Sequence, residues 1–192
     1  MVIVFEAGET QLVIRAQGGD RNAFNDLVRI HAQGVLNVVF RMCGDQQMAE
    51  DAAQETFIRA WSHLATFRTE ASLRNWLYRI ALNTATDMLR KQKHILPGDV
   101  DDLQLADPQP GPEGAYLQGE RTALVKMAIS SLPEASRAVL VLKEYEGLSY
   151  QEIAEALDIP VGTVMSRLNY ARRLLKEKLK GQMVVLMEDE NV

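Results

Sequence analysis

Apolar residues in this chain recur at three- and four-residue spacing, and neither half shows a strong alternation of period two. In the first half, Ala53, Phe57, Ala60, Trp61 and Leu64 share one helical face, and Asp45 is placed to cap its start. The opposite face carries Asp51, Gln54, Glu55 and Ser62, with Ile58 exposed among them. Upstream, Phe24, Leu27, Val28, Val35, Val38 and Val39 predict an amphipathic helix over 23–40. Downstream, a helix capped by Ser72 is predicted over 73–91. Leu73, Trp76, Leu77, Ile80, Thr84 and Met88 form its buried stripe, while Asn75, Arg79, Asn83, Thr86 and Arg90 line the other side.

The second half repeats the helical pattern with clearer punctuation. Pro133 suits a first helical turn, Val139, Leu140 and Leu142 follow, and Gly147 is placed as a C-terminal cap. Ser149 and Glu152 make an S-x-x-E capping box, which opens a short helix with Ile153, Ala154 and Leu157 inward. Asp158-Ile159-Pro160 ends that helix, and a longer one over 161–180 buries Val164, Leu168, Ala171, Leu175 and Leu179. Between the halves, Pro97, Pro108, Pro110 and Pro112 rule out one regular element. The expected fold is all-α: two small helical domains, 1–94 and 120–181, joined by a flexible acidic linker, 95–119. Residues 182–192 form a C-terminal tail, for which fraying is the default.

A short capped helix, a turn and a longer helix make a helix-turn-helix pattern. At about 100° per residue, Gly162, Ser166, Asn169, Tyr170 and Arg173 fall together, opposite the Val164/Leu168/Ala171/Leu175 stripe. Arg167, Arg172 and Lys176 flank that outer face. Small and amide groups near a helix N-terminus can approach base edges in a major groove, while the cations neutralise phosphates. Gly162 lets the backbone come close. The bland reading is a helical hairpin with a solvated basic face.

Charge changes the picture only when taken by segment. The 192 residues carry a net −5, which by itself argues against nucleic acid as a partner. Yet 71–94 is +4, 95–120 is −6 and 162–181 is +5. Two basic stretches around an acidic connector point to two anion-facing surfaces, against the alternative of ordinary solvated faces. No apolar run approaches the roughly 18 residues that span a bilayer. Met1–Phe5 lacks the basic start and long apolar core of a secretory signal. Cys43 is the lone cysteine, so no internal disulfide is expected, as in a reducing cytosol. The chain is expected to be cytoplasmic and not membrane-inserted.

SYQEIAEALDIPVGTVMSRLNYARRLL (149–175) resembles the −35-binding helix-turn-helix of bacterial sigma factors, and LPEASRAVLVLKEYEGLS (132–149) resembles the helix leading into it. AEDAAQETFIRAW (49–61) with FRTEASLRNWLYRIALNTATDMLRK (67–91) resembles the other sigma domain, which binds the polymerase clamp and melts the −10 element. The order and the lack of other sigma domains resemble the extracytoplasmic-function (ECF) group.

The resemblance implies a non-enzymatic protein with no cofactor, no metal and no small-molecule substrate. Its implied partners are core RNA polymerase, promoter DNA and an anti-sigma factor. Asp51, Gln54, Glu55 and Ile58 would meet the clamp. Arg68, Arg74, Asn75, Arg79, Asn83, Thr86 and Arg90 would meet the −10 DNA. Phe67, Trp76 and Tyr78 interleave with these cations, as suits unstacked bases, although Trp76 belongs to the apolar stripe. The loop over 63–71 matches the segment that captures a flipped base, whose extrusion costs a few kcal/mol. Gly162, Thr163, Ser166, Arg167, Asn169, Tyr170 and Arg173 would meet the −35 element.

Met165 and Tyr170 stand where relatives often carry a base, which reduces phosphate contact, and Asp87 is an unusual neighbour for DNA. The linker acids either imitate nucleic acid in a basic channel of the polymerase or solvate a tether. A helix-turn-helix regulator acting without polymerase is the main rival, but the chain has no heptad seam for dimerising and the 49–91 block would lack a purpose. An enzyme or metal protein fits less well. His31, His63, His94 and Cys43 are scattered, and no phosphate loop, HExxH or nucleophile elbow occurs.

Overall fold

The computed structural model describes residues 2–68, 72–95 and 123–189, with side chains over 8–68, 72–92 and 123–180. Every regular element among the described residues is helical. The first half contains α1 (Val2–Gln17), α2 (Arg21–Cys43), α3 (Gln46–His63), a 3₁₀ turn (Leu64–Thr66) and α4 (Leu73–Ile95). The second contains α5, described over 123–130, then α6 (Glu134–Glu144), α7 (Tyr150–Leu157) and α8 (Val161–Asp189).

Side-chain caps set most boundaries. The Asp20 carboxylate accepts hydrogen bonds from the Asn22 and Ala23 amides at 2.9 and 3.1 Å, starting α2. Arg15 lies 2.6 Å from the same carboxylate, and together these donors hold its pKa below the ordinary value. Gly44, at φ 76°, closes α2 by donating to the Phe40 carbonyl. Asp45 caps α3 through the Met48 amide at 2.7 Å, and Ser72 accepts from the Asn75 amide at 3.3 Å to begin α4, both as the sequence predicts.

Helices α2, α3 and α4 pack on one another, with α1 laid against α2. The core of this half joins Leu27, Val35, Val38, Val39 and Met42 to Ala52, Ala60, Leu77, Ala81 and Leu82. Helix α1 is an element the apolar pattern does not predict. It is held by buried Val13 and Ala16 and by Gln17, whose amide donates to the Leu64 and Phe67 carbonyls at 2.9 and 2.8 Å. The inner face of α3 is Ala49, Ala52, Thr56 and Ala60. Trp61, expected inside, is 36% exposed and packs on Phe24 with ring centroids 4.9 Å apart and planes tilted by 55°, the fully buried positions of α3 being held by small residues.

In the second half, Pro133 is the N-cap rather than a first-turn residue, and α6 begins at Glu134. Tyr145 is the C-cap of α6, and Gly147 takes φ 68° two residues later, turning Leu148 to donate to the Leu142 carbonyl. Helix α8 continues past Lys180 to Asp189, because Gly181 alone costs only about 1 kcal/mol in a helix and no proline follows. The tail expected to fray therefore starts inside this helix. The linker acids Asp99, Asp101, Asp102 and Asp107 lie outside the described residues.

The halves also meet. Helix α7 packs on α4 and α6 on α2. Arg137 of α6, 6% exposed, donates to the carbonyls of Met42 in α2, Ser130 and Leu132. Burial pulls the pKa of its guanidinium below the ordinary value; these carbonyls take up its two terminal nitrogens, while its Nε has no hydrogen-bond partner among the described residues.

Candidate nucleic-acid interface

The turn between α7 and α8 is built by two linked devices. The Ser149 hydroxyl accepts from the Glu152 amide at 3.2 Å, and the Glu152 carboxylate accepts from the Ser149 amide at 2.7 Å. This completes the predicted capping box. The Ser149 amide, as the leading donor, lowers the pKa of Glu152 from its ordinary 4.5. Asp158 then ends α7 at φ 54°, with its amide donating to the Ala154 and Glu155 carbonyls. Aspartate tolerates this left-handed conformation better than most side chains. Pro160 accepts from the Thr163 and Val164 amides at 2.8 and 3.1 Å, so α8 leaves the turn at a fixed angle.

Buried Ile153, Ala156, Val164, Leu168 and Ala171 lock α7 and α8 over Val139, Val141, Leu142 and Leu148. The outer side of α8 exposes Gly162, Ser166, Asn169, Tyr170 and Arg173, with Thr163 and Arg167 half-buried at its edge. A Cβ at Gly162 would meet nothing within 4 Å, so its lack of a side chain leaves open space at the helix N-terminus. The Ser166 hydroxyl bonds the Thr163 carbonyl at 3.0 Å, and Arg173 lies 5.3 Å from the Tyr170 ring centre. Arg172 pairs with Glu144 at 2.6 Å.

The first half is arranged differently. Asp51, Gln54 and Ile58 are exposed on α3, with Ile58 at 61%. Glu55 is half-buried and binds Arg59 at 2.7 Å, and Arg59 also reaches Asp87 at 3.4 Å. Asp87 thus faces α3. On α4, Arg74, Arg79, Asn83 and Arg90 are exposed and Thr86 is half-buried; Arg68 is exposed just before the loop residues 69–71, which lie outside the described residues. Asn75 departs from the expected surface. It is 5% exposed, at helical spacing with buried Tyr78, Leu82 and Ala85, and its side-chain oxygen has no hydrogen-bond partner among the described residues. The inner face of α4 is wider than one apolar stripe because α2, α3 and α7 all cover it. Trp76 is partly buried against Phe67, ring centroids 4.9 Å apart, so it belongs to the packing of this half.

Residues 27–95 match the family model of Sigma-70 region 2, and residues 122–175 match that of Sigma-70, region 4. The RNA polymerase sigma-H factor of Pseudomonas aeruginosa is 40% identical over 187 residues, covering 90% of this chain and 94% of its own. The ECF RNA polymerase sigma-E factor of Haemophilus influenzae is 37% identical over 181 residues, covering 90% and 95%. This chain belongs to the ECF sigma factors.

The fold of this sigma factor matches solved relatives. CnrH, in complex with the cytosolic domain of CnrY, aligns at TM-score 0.68 with 27% identity, covering 91% of this chain and 98% of its own. The sigma factor RpoE, bound to the anti-sigma factor NepR from Bartonella quintana, aligns at 0.64 with 23% identity over 82% and 96%. Among the described residues no helix is long and apolar enough to cross a membrane. The acids that face α4 and the inward course of Arg137 are not predicted from the sequence. A basic residue amid the apolar run of α6 was the available signal for Arg137, and Gly34 in mid-helix was a signal of close packing.

Proposed function

We propose that this sigma factor binds core RNA polymerase through its first domain (1–94), with Asp51, Gln54, Glu55 and Ile58 on the clamp. Exposed acid and amide groups around an apolar centre, Ile58, fit a basic protein surface. Arg68, Arg74, Arg79, Asn83, Thr86 and Arg90 would then hold the opened −10 strand, and the second domain (120–181) would place α8 in the −35 major groove. There Gly162, Thr163, Ser166 and Asn169 approach base edges, while Arg167, Tyr170 and Arg173 position the helix on the backbone. The observation that carries this reading is that both sigma regions match, in order, on one chain whose second domain turns a basic, unobstructed helix face outward. Synthesis belongs to the polymerase, so the chain acts in the cytoplasm without catalytic groups or a cofactor of its own. An anti-sigma factor is the expected regulator; the CnrH structure, with a second protein's cytosolic domain bound, supports such control.

Transcription in vitro with purified core polymerase on a promoter library tests this. Defined transcripts that require the protein are expected, and they should vanish with Arg173→Ala combined with Asn169→Ala. No transcripts and no association with core would leave a helix-turn-helix regulator in its place.

A further inference from the structure

The cations of α4 that the proposed promoter contacts require are already engaged, and their partners come from the second domain. Arg79 lies 3.0 Å from Asp158, Arg74 3.7 Å from Glu152, and Arg90 3.5 Å from Glu134. Between them Tyr78, 4% exposed, donates its hydroxyl hydrogen to Glu146. The acids sit at the start of α6, in the turn after it, and at both ends of α7. One acidic edge therefore runs along α4.

Helix α2 is shaped to the same contact. A Cβ at Gly34 would lie 2.7 Å from the Tyr78 hydroxyl oxygen. Glycine weakens a helix interior relative to alanine, so its presence there needs a reason, and close passage of Tyr78 toward Glu146 supplies one. Two further contacts pin the arrangement. Arg137 reaches the Met42 carbonyl near the end of α2, and Arg41 lies 3.5 Å over the ring of Tyr145, next to Glu146.

We propose that, in the polymerase-free chain, the acidic α6–α7 edge is an intramolecular ligand of α4, its carboxylates standing where DNA phosphates would stand, so that strand capture requires the domains to part. This rests on the promoter-facing reading of α4. The recognition face of α8 has no such partners in the closed arrangement, so the clasp neutralises the cations of one DNA surface and not the other. Exposed ion pairs are individually weak and screened by salt, which lets polymerase or DNA open the clasp.

The test uses the full chain in a Cys43→Ser background, with donor and acceptor dyes at Ala65→Cys and Ala135→Cys, exposed sites in different domains. Glu146→Gln, Glu152→Gln and Asp158→Asn are combined; glutamine retains the capping box and asparagine tolerates positive φ. The control is Glu50→Gln, Glu155→Gln and Glu177→Gln, with the same charge change outside the clasp. At about 0.05 M salt the clasp variant should show changed energy transfer, matching what the parent reaches at about 0.5 M, while the control should match the parent. The clasp variant should also bind a random single-stranded oligonucleotide severalfold more tightly than the control does. Equal transfer in clasp variant and control overturns the proposal. Should the triple variant fail to fold, the salt titration of the parent decides: transfer unchanged across that range also overturns it. These dye measurements use no polymerase and no promoter, so a failed clasp and a failed sigma reading give different results.

Discussion

Helices α4 and α8 each present a row of cations, and they differ in what faces those cations. On α4, Arg74, Arg79 and Arg90 all lie within ion-pair distance of second-domain acids. On α8, Arg172 pairs with Glu144, while Arg167, Arg173 and Lys176 have no carboxylate partner among the described residues. A net charge of −5 therefore says little about DNA binding, because the acids are placed against one basic surface and leave the other open. The difference also sorts the two tasks. Under the proposed function, a surface that would hold opened DNA only on the polymerase gains from having its cations neutralised beforehand. A surface that would read duplex needs its shape and its free cations.

The largest test removes the shape. Leu168 is 1% exposed and fixes α8 over α6 and α7. Leu168→Ala should cost about 2–5 kcal/mol. Thermal melting should show this as a lowered midpoint, and duplex binding should disappear while binding to core polymerase through α3 survives. Loss of core binding as well would mean that the domains do not divide the work as α4 and α8 suggest.

What was legible beforehand follows the same division. The second domain is readable because its signals are local: the Ser149–Glu152 box, the break at Asp158–Pro160 and the Val164/Leu168/Ala171 stripe all act within a few residues. Helix α1 was hidden because Gly8, Thr10 and several β-branched residues weaken its propensity, and it is held by tertiary packing of Val13 and Ala16. Asn75 was misplaced because a helical wheel shows one partner face, whereas α4 has several. The clasp was invisible for a stronger reason. Its partners, such as Arg79 and Asp158, are 79 residues apart across a proline-rich linker, and no periodicity encodes which surfaces meet.

The next effect sharpens the α4 side. Gly34→Ala adds helix propensity worth about 1 kcal/mol, yet its Cβ presses on the Tyr78 hydroxyl. It should be net destabilising in a chemical denaturation series. In a Tyr78→Phe background the obstacle is gone and Gly34→Ala should turn stabilising. The coupling between the two sites is therefore expected to exceed about 1 kcal/mol. Additive effects would show that the hydroxyl does not set the spacing of α2 and α4.

A smaller effect compares the helices directly on random duplex DNA, without polymerase. Arg173→Ala should reduce the salt slope of binding by about 1, as removal of one phosphate contact does. Arg79→Ala should leave that slope nearly unchanged, because Asp158 holds the side chain. Equal losses would place both surfaces on the duplex at once and erase the contrast between them.

The smallest effect concerns acid, and it touches both domains through their caps. Donors lower the pKa of Asp20 in the first domain and of Glu152 in the second, Arg15 leading for the former and the Ser149 amide for the latter. A carboxylate whose folded pKa is depressed binds protons more readily when unfolded. Its stabilising contribution is therefore fully present above the unfolded pKa and is lost as pH falls through the folded one. Glu152→Gln keeps the hydrogen bond of the capping box but cannot titrate, so its stability should trail the wild type at neutral pH by a few tenths of a kcal/mol. That gap should close as pH drops below the ordinary 4.5 of a glutamate. Helicity followed by circular dichroism through an acid titration would show the two curves converging. In Glu152 the cap and the clasp share one carboxylate, with Arg74 3.7 Å away. Acid should therefore loosen the grip on α4 over the same interval in which it weakens α7, and energy transfer between the domains should change with helicity rather than before it.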